Sequence, residues 1–151
     1  MALDTSNDVT SKDKTNTYLL TLPILSSPID AITRRTGHSV FTDQTLSLED
    51  YNGLFITSRI DALNFRHRMS EPNYFSDWHV AGDATLIIIR TGTLRIGLRN
   101  GEHRDFCAGD MFVAKDRLQA DEVFDEQEHG HTAAVVKNQV LTAVHIKLSE
   151  G

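Results

Sequence analysis

The sequence predicts an all-β fold, a sandwich or barrel, from three observations. Short apolar runs rich in Val, Ile, Leu and Thr recur between turn residues at the roughly eight-to-twelve-residue spacing of all-β domains. Turn dipeptides (Thr91-Gly92, Asn100-Gly101, Gly109-Asp110) fall between consecutive runs. No helical period is long enough to alternate with these strands, which argues against a parallel α/β sheet.

Taken in order, residues 1–17 are polar and rich in Thr, Ser, Asp and Lys, and read as a flexible arm before one domain over 18–151. Pro23 and Pro28 break the apolar pieces of 18–32, which suits edge strands or wrapping segments. Ser47 followed by Glu49 and Asp50 suggests one helical turn over 46–51. Strand-like runs follow at 54–60 and 64–69, then a loop around Pro72. Residues 85–90 (TLIIIR) and 93–98 (TLRIGL) flank Thr91-Gly92 and read as a hairpin. Asn100-Gly101 returns the chain into 102–106, and Gly109-Asp110 turns it into 111–114. A last hairpin is expected around Lys137-Asn138-Gln139, closing on 141–148.

Strand alternation puts Ile87, Ile89, Leu94, Ile96 and Leu98 on the core face, leaving Leu86 and Ile88 facing outward. A strand apolar on both faces needs a cover, supplied by the N-terminal segment or a second subunit, so a homodimer is expected.

A chain of 151 residues is long enough to bury a substantial core, and 40% hydrophobic with 24% charged residues is ordinary globular composition. No apolar run approaches the roughly 18 residues that span a bilayer. Residues 1–17 resemble neither a secretory signal nor a transit peptide, so a cytoplasmic location is the default expectation and no membrane partner is expected. Twenty-one acidic residues against 15 basic ones (net charge −6) argue against a nucleic-acid partner. Arg90, Arg95, Arg99 and Arg104 fall close together in sequence, as a solvated or subunit-facing surface would. Cys107, the single cysteine, permits neither an intramolecular disulfide nor a thiolate zinc cluster, and its apolar neighbours suggest a buried thiol.

Trp78-His79-Val80-Ala81-Gly82-Asp83, followed by the run ending at Gly92, resembles the first motif of the cupins. Gly109-Asp110-Met111-Phe112-Val113-Ala114 and the later Gly130-His131 resemble the second. The resemblance covers roughly residues 54–148 and implies a jelly-roll barrel, a double-stranded β-helix with a pocket between its sheets. Of the family's four metal-ligand positions, His79 and His131 match, whereas Ala81 and Thr85 stand where a histidine and a glutamate are usual. The sequence is most similar to small single-domain cupins with degenerate metal motifs. No obligatory cofactor is therefore expected, although a divalent transition metal on His79 and His131, with His129 or His145, is a possible alternative.

His79, His131 and His145 are the candidate catalytic residues, because imidazole exchanges protons near neutral pH. With a three-residue loop at 137–139, position 131 would pair with 145, making His131 and His145 cross-strand neighbours. Asp83 shares parity with His79 and Thr85 and could orient a histidine. Arg66 or Arg68, if turned inward, would suit a carboxylate or phenolate, and Tyr74 and Trp78 could wall the pocket. Residues 117–128 are acidic and long enough for a lid, with Val123 and Phe124 as its apolar underside and Glu122, Asp125, Glu126 and Glu128 in solvent. The expected partner is a small organic molecule, undergoing proton-transfer chemistry of isomerase, dehydratase, cyclase or decarboxylase type. A metal-dependent oxygenase and a non-catalytic ligand-binding module are the alternatives.

Overall fold

The computed structural model describes residues 9–12 and 17–150 and places their strands in two sheets. The strands are β1 (Val9–Lys12), β2 (Tyr18–Ser26), β3 (Val40–Tyr51), β4 (Leu54–Ile56), β5 (Ala62–Ser70) and β6 (Phe75–His79). They continue as β7 (Thr85–Thr91), β8 (Thr93–Gly97), β9 (His103–Cys107), β10 (Met111–Ala114), β11 (His131–Val136) and β12 (Leu141–Leu148). The larger sheet runs β4-β3-β2-β10-β7-β12-β5, with β1 beside β2, and the smaller runs β6-β11-β8-β9. Neither sheet closes on itself among the described residues. No helix there is long and apolar enough to cross a membrane.

The inner faces supply one core: Leu25, Ile87, Ile89, Phe112, Ala114, Leu141 and Ala143 from the larger sheet meet Leu94, Ile96, Phe106, Ala133 and Val135 from the smaller. Phe106 and Phe112 stack across the gap at 4.2 Å between centroids. Burying each such large side chain contributes roughly 1.5–3 kcal/mol, which is what holds two open sheets together.

Several sequence expectations are corrected. Residues 46–51 form no helical turn; they are the second half of β3, in register with β2 from Tyr18↔Leu48 to Ser26↔Val40. The long ladder outweighs a local propensity for helix. β2 is not an edge strand: it lies between β3 and β10, and β10 joins it only from Ile24 on, beyond Pro23. Part of the expected arm, Val9–Lys12, pairs with β2, while residues 1–8 and 13–16 lie outside the described set.

Thr91-Gly92 does not close a hairpin. β7 pairs with β10 and β12 and β8 with β9 and β11, so the chain changes sheets there. Gly92 sits at φ 83°, and a Cβ on it would meet the Val140 carbonyl oxygen at 2.5 Å, so glycine alone fits this crossing. Lys137-Asn138-Gln139 is likewise a crossing, since β11 belongs to the smaller sheet and β12 to the larger. Asn100-Gly101 does join a hairpin, β8 with β9.

Leu86 faces outward as expected, in a second cluster with Leu22, Ile24, Ala84, Val113, Met111, Leu46 and Leu148. Its cover comes sideways from β2, β3 and β10 along the same sheet. Cys107 is exposed rather than buried, because Phe106 takes the inward position beside it. The arginines disperse: Arg95 pairs with Asp105 at 2.8 Å, Arg104 lies over Phe41 and Arg99 over Trp78.

Candidate functional site

Three adjacent strands change character along their inner faces. β12 runs from buried Leu141 and Ala143 to His145 and Lys147, and β7 from Ile89 and Ile87 to Thr85. β5 carries Ser70, Arg68, Arg66 and Asn64 on that face, because these residues pair directly with Leu141, Ala143, His145 and Lys147. The core therefore gives way to a polar mouth, a cleft of about 470 Å³ lined by Asn64, Arg66, Thr85, His145 and Lys147.

β5 is inverted relative to an ordinary surface strand. Its polar row looks inward, while Leu63, Phe65 and Met69, each nearly two-thirds exposed, look outward. His67 shares the outer row, its ring edge-on to Phe65 at 5.7 Å.

Charge in the cleft, from Arg66 and Lys147, and beside it, from Arg68, is mainly positive. Arg68 is half-buried; its Nε donates to Ser70 Oγ at 3.0 Å, its Nη1 lies 3.5 Å from His145 Nε2, and its guanidinium sits 5.3 Å from the Tyr74 ring centre. Burial lowers its pKa from the usual arginine value, with the Tyr74 hydroxyl acting the other way. His145 is pushed down to about 4, first by burial and then by the Arg68 and Arg66 charges, so its imidazole is neutral at pH 7. Lys147 pairs with Asp83 at 2.8 Å, and that hydrogen bond and charge hold the Asp83 carboxyl below its usual range. Asp83 thus serves Lys147, not a histidine. The alternation expected from His79 to Thr85 is broken because β6 and β7 belong to different sheets.

His79 and His131 meet elsewhere. They are cross-strand partners on β6 and β11, with ring centres 4.4 Å apart. The pairing of His131 with His145 expected from loop parity does not occur; His145 pairs with Arg66 and Ile87. His131 is only 4% exposed, and its Nδ1 lies 2.7 Å from Asp116 Oδ2. Asp116 also accepts hydrogen bonds from Ser39 Oγ and the Ala81 amide. Burial opposes ionisation of Asp116, but the His131, Ala81 and Ser39 contacts more than offset it and hold the carboxyl below its usual range. His79 donates Nδ1–H to the Asp77 carbonyl at 2.6 Å, which leaves Nε2 as its other ring nitrogen. Trp78, its neighbour on β6, stacks under the Arg99 guanidinium at 3.8 Å and does not wall the cleft. Tyr74 lies under the Arg68 guanidinium and, like Trp78, is not among the residues that line the cleft.

The fit of a metal to these residues is partial. Both imidazoles have Nδ1 tied to an oxygen, the outer-shell pattern typical of histidine ligands. His145 stands in the other cleft, however, and His129 accepts the Asp125 amide on Nδ1 with Glu122 3.8 Å from its Nε2. No group of three or more His, Cys, Asp or Glu side chains suited to a metal exists among the described residues. Two imidazoles fall short of the three protein ligands usual in a catalytic zinc site.

The 117–128 segment is fastened to the 36–39 stretch rather than closed over the cleft. Glu122 accepts from the Thr36 amide and hydroxyl, and Glu128 lies 2.8 Å from His38. The Glu122 side chain is only 9% exposed, and Val123 is 86% exposed, so the expected underside and outer face are exchanged there. With Arg35, Thr36 and His129, Glu122 and Val123 line a separate cavity of about 350 Å³.

Lys147, Asn64 and the anchor Asp116 were not singled out from sequence. The period-2 polar row Asn64-Arg66-Arg68-Ser70 was the available signal, but it reads as solvent-facing until the inversion of β5 is known.

No family model matches the chain, and no curated protein matches it. Among solved structures it is similar to protein NMB1881 from Neisseria meningitidis, at 16% identity and a TM-score of 0.41, over 61% of this chain and 85% of that one.

Proposed function

We propose that this protein is a small-molecule enzyme on a cupin-like jelly roll, with its pocket at the polar mouth of β5, β12 and β7. The observation that carries this reading is the inversion of β5, which turns Arg66, Arg68 and Ser70 inward at the cost of exposing Leu63, Phe65 and Met69. A sheet whose only task was a core would face the other way.

His145 is the proton-transferring group. Its imidazole is neutral, lines the cleft and stands beside two guanidinium groups that can stabilise negative charge developing on a substrate oxygen. Abstraction of a proton next to a carbonyl, followed by its return elsewhere or loss of a leaving group, covers the isomerase, dehydratase and cyclase types. We assign this role to His145 rather than to the His79–His131 pair, because His131 is enclosed and held by Asp116.

Enolisable carbonyl compounds incubated with the protein in D₂O test the reading by mass spectrometry. Deuterium uptake that His145→Gln abolishes is expected. Uptake that persists in the variant rejects His145, and compounds that bind but are recovered unlabelled favour the non-catalytic module.

A further inference from the structure

We propose that the ligand of this cleft is a small organic monocarboxylate, its carboxylate seated on the Arg66 guanidinium of the lining, with Arg68, beside His145, as second donor. This rests on the reading of the cleft as a small-molecule pocket and names the class of molecule it takes.

The first argument is charge balance. Arg66 and Arg68 come from β5, and His145 and Lys147 from β12. Of these groups Lys147 alone has a carboxylate partner, Asp83 at 2.8 Å, among the ion pairs of the described residues. Neither arginine has an ion pair among the described residues. Arg68 is half-buried, and a cation taken out of water without a counter-charge is destabilising. Its contacts, a serine hydroxyl, a neutral imidazole and an aromatic face, leave that charge uncompensated.

Geometry is the second argument. Arg66 and Arg68 are two apart on one strand, so their side chains leave the same face roughly 7 Å apart at the backbone. One planar carboxylate can take two parallel N–H bonds from a guanidinium and a third from the neighbour. The amide of Asn64 and hydroxyl of Thr85, on the same lining, suit uncharged polar groups elsewhere on the molecule.

The number of charges decides between anions. Lys147 is neutralised by Asp83, and Arg66 is exposed and screened by solvent, so one half-buried positive charge awaits compensation. A monoanion supplies that, whereas a phosphate dianion would bring more charge than the site balances. The same seating has a second effect. The groups facing His145 are Arg66 and Arg68 from β5, with Lys147 and its partner Asp83 at the end of the cleft; burial depresses its basicity first and the two arginines add to that, and a bound carboxylate offsets the arginines' share. Ligand binding would make His145 a better base.

The test uses acetate, pyruvate and benzoate as probes, with acetamide, pyruvamide and benzamide as uncharged counterparts and inorganic phosphate as a competing anion. Amide and imidazole NMR signals of Asn64, Thr85 and His145 report binding, and the imidazole also reports its own titration. At least one carboxylate should bind about tenfold or more tightly than its amide and move the His145 midpoint upward. Arg68→Gln should abolish that preference and raise the midpoint without ligand, while Arg68→Lys should keep part of both. Amides binding as well as carboxylates would overturn the carboxylate assignment and leave the pocket standing, as would phosphate binding more tightly. If no probe of either kind perturbs the cleft signals, the pocket reading falls with it.

Discussion

The carboxylate of Asp116, fully buried, lies 2.7 Å from His131 Nδ1 and joins three stretches of chain that are far apart in sequence. Ser39 reaches it from just before β3, the Ala81 amide from the β6–β7 connection, and His131 from the start of β11. Asp116→Ala leaves these donors without their acceptor and should cost about 3–5 kcal/mol in urea unfolding, the usual penalty for breaking a buried pair. The folded-state pKa is depressed, so the stabilisation is present above the unfolded carboxyl value, 3.8, and is lost as pH falls below it. Unfolding midpoints from pH 5 down to pH 2 should drop less steeply in Asp116→Asn than in the parent protein; parallel curves would contradict this.

His145 gives the opposite end of that pH range its own signature. With a folded value of about 4 against 6.5 when unfolded, the folded state binds fewer protons between those limits. Stability contributed by neutral His145 is therefore complete above pH 6.5 and declines as pH falls toward 4. His145→Gln should flatten the thermal midpoint over that interval. An imidazole that titrates near 6.5 by NMR would show that neither burial nor the Arg66 and Arg68 charges act on it.

Gly130 holds the two histidines of the other cluster in register. It sits at φ 86°, and a Cβ there would lie 2.5 Å from the His79 carbonyl oxygen and 2.7 Å from its carbon. Gly130→Ala must strain the backbone and part β6 from β11, at about 1–3 kcal/mol for the φ alone. Loss of amide protection at the His131↔His79 pairing, with the β5–β12 ladder unchanged, is the expected hydrogen-exchange result.

The outer row of β5 bears on the expected homodimer. Leu63, Phe65 and Met69 stand on the terminal strand of the larger sheet, beside the partly buried Val144 and Ile146 of β12. If a second copy covers them, light scattering should give a mass near twice 16.9 kDa, and Phe65→Asp should reduce it to one. A parent protein of single mass at micromolar concentration would dispose of the homodimer.

Much of the strand content was legible in the sequence by itself, because alternation is a local property. Alternation marks Ile87, Ile89, Leu94 and Ile96 as core, and each is buried; Asn100-Gly101 marks the β8–β9 hairpin in the same local way. The tertiary structure alone decided which strands are neighbours. Thr91-Gly92 and Lys137-Asn138-Gln139 look like hairpin turns locally, yet each carries the chain from one sheet to the other. That is why His131 faces His79 instead of His145, and why His145 falls among the arginines of β5. A short connection constrains the path of the backbone but not the strand that completes its hydrogen bonds, and that choice follows from how two sheets bury their apolar faces against each other.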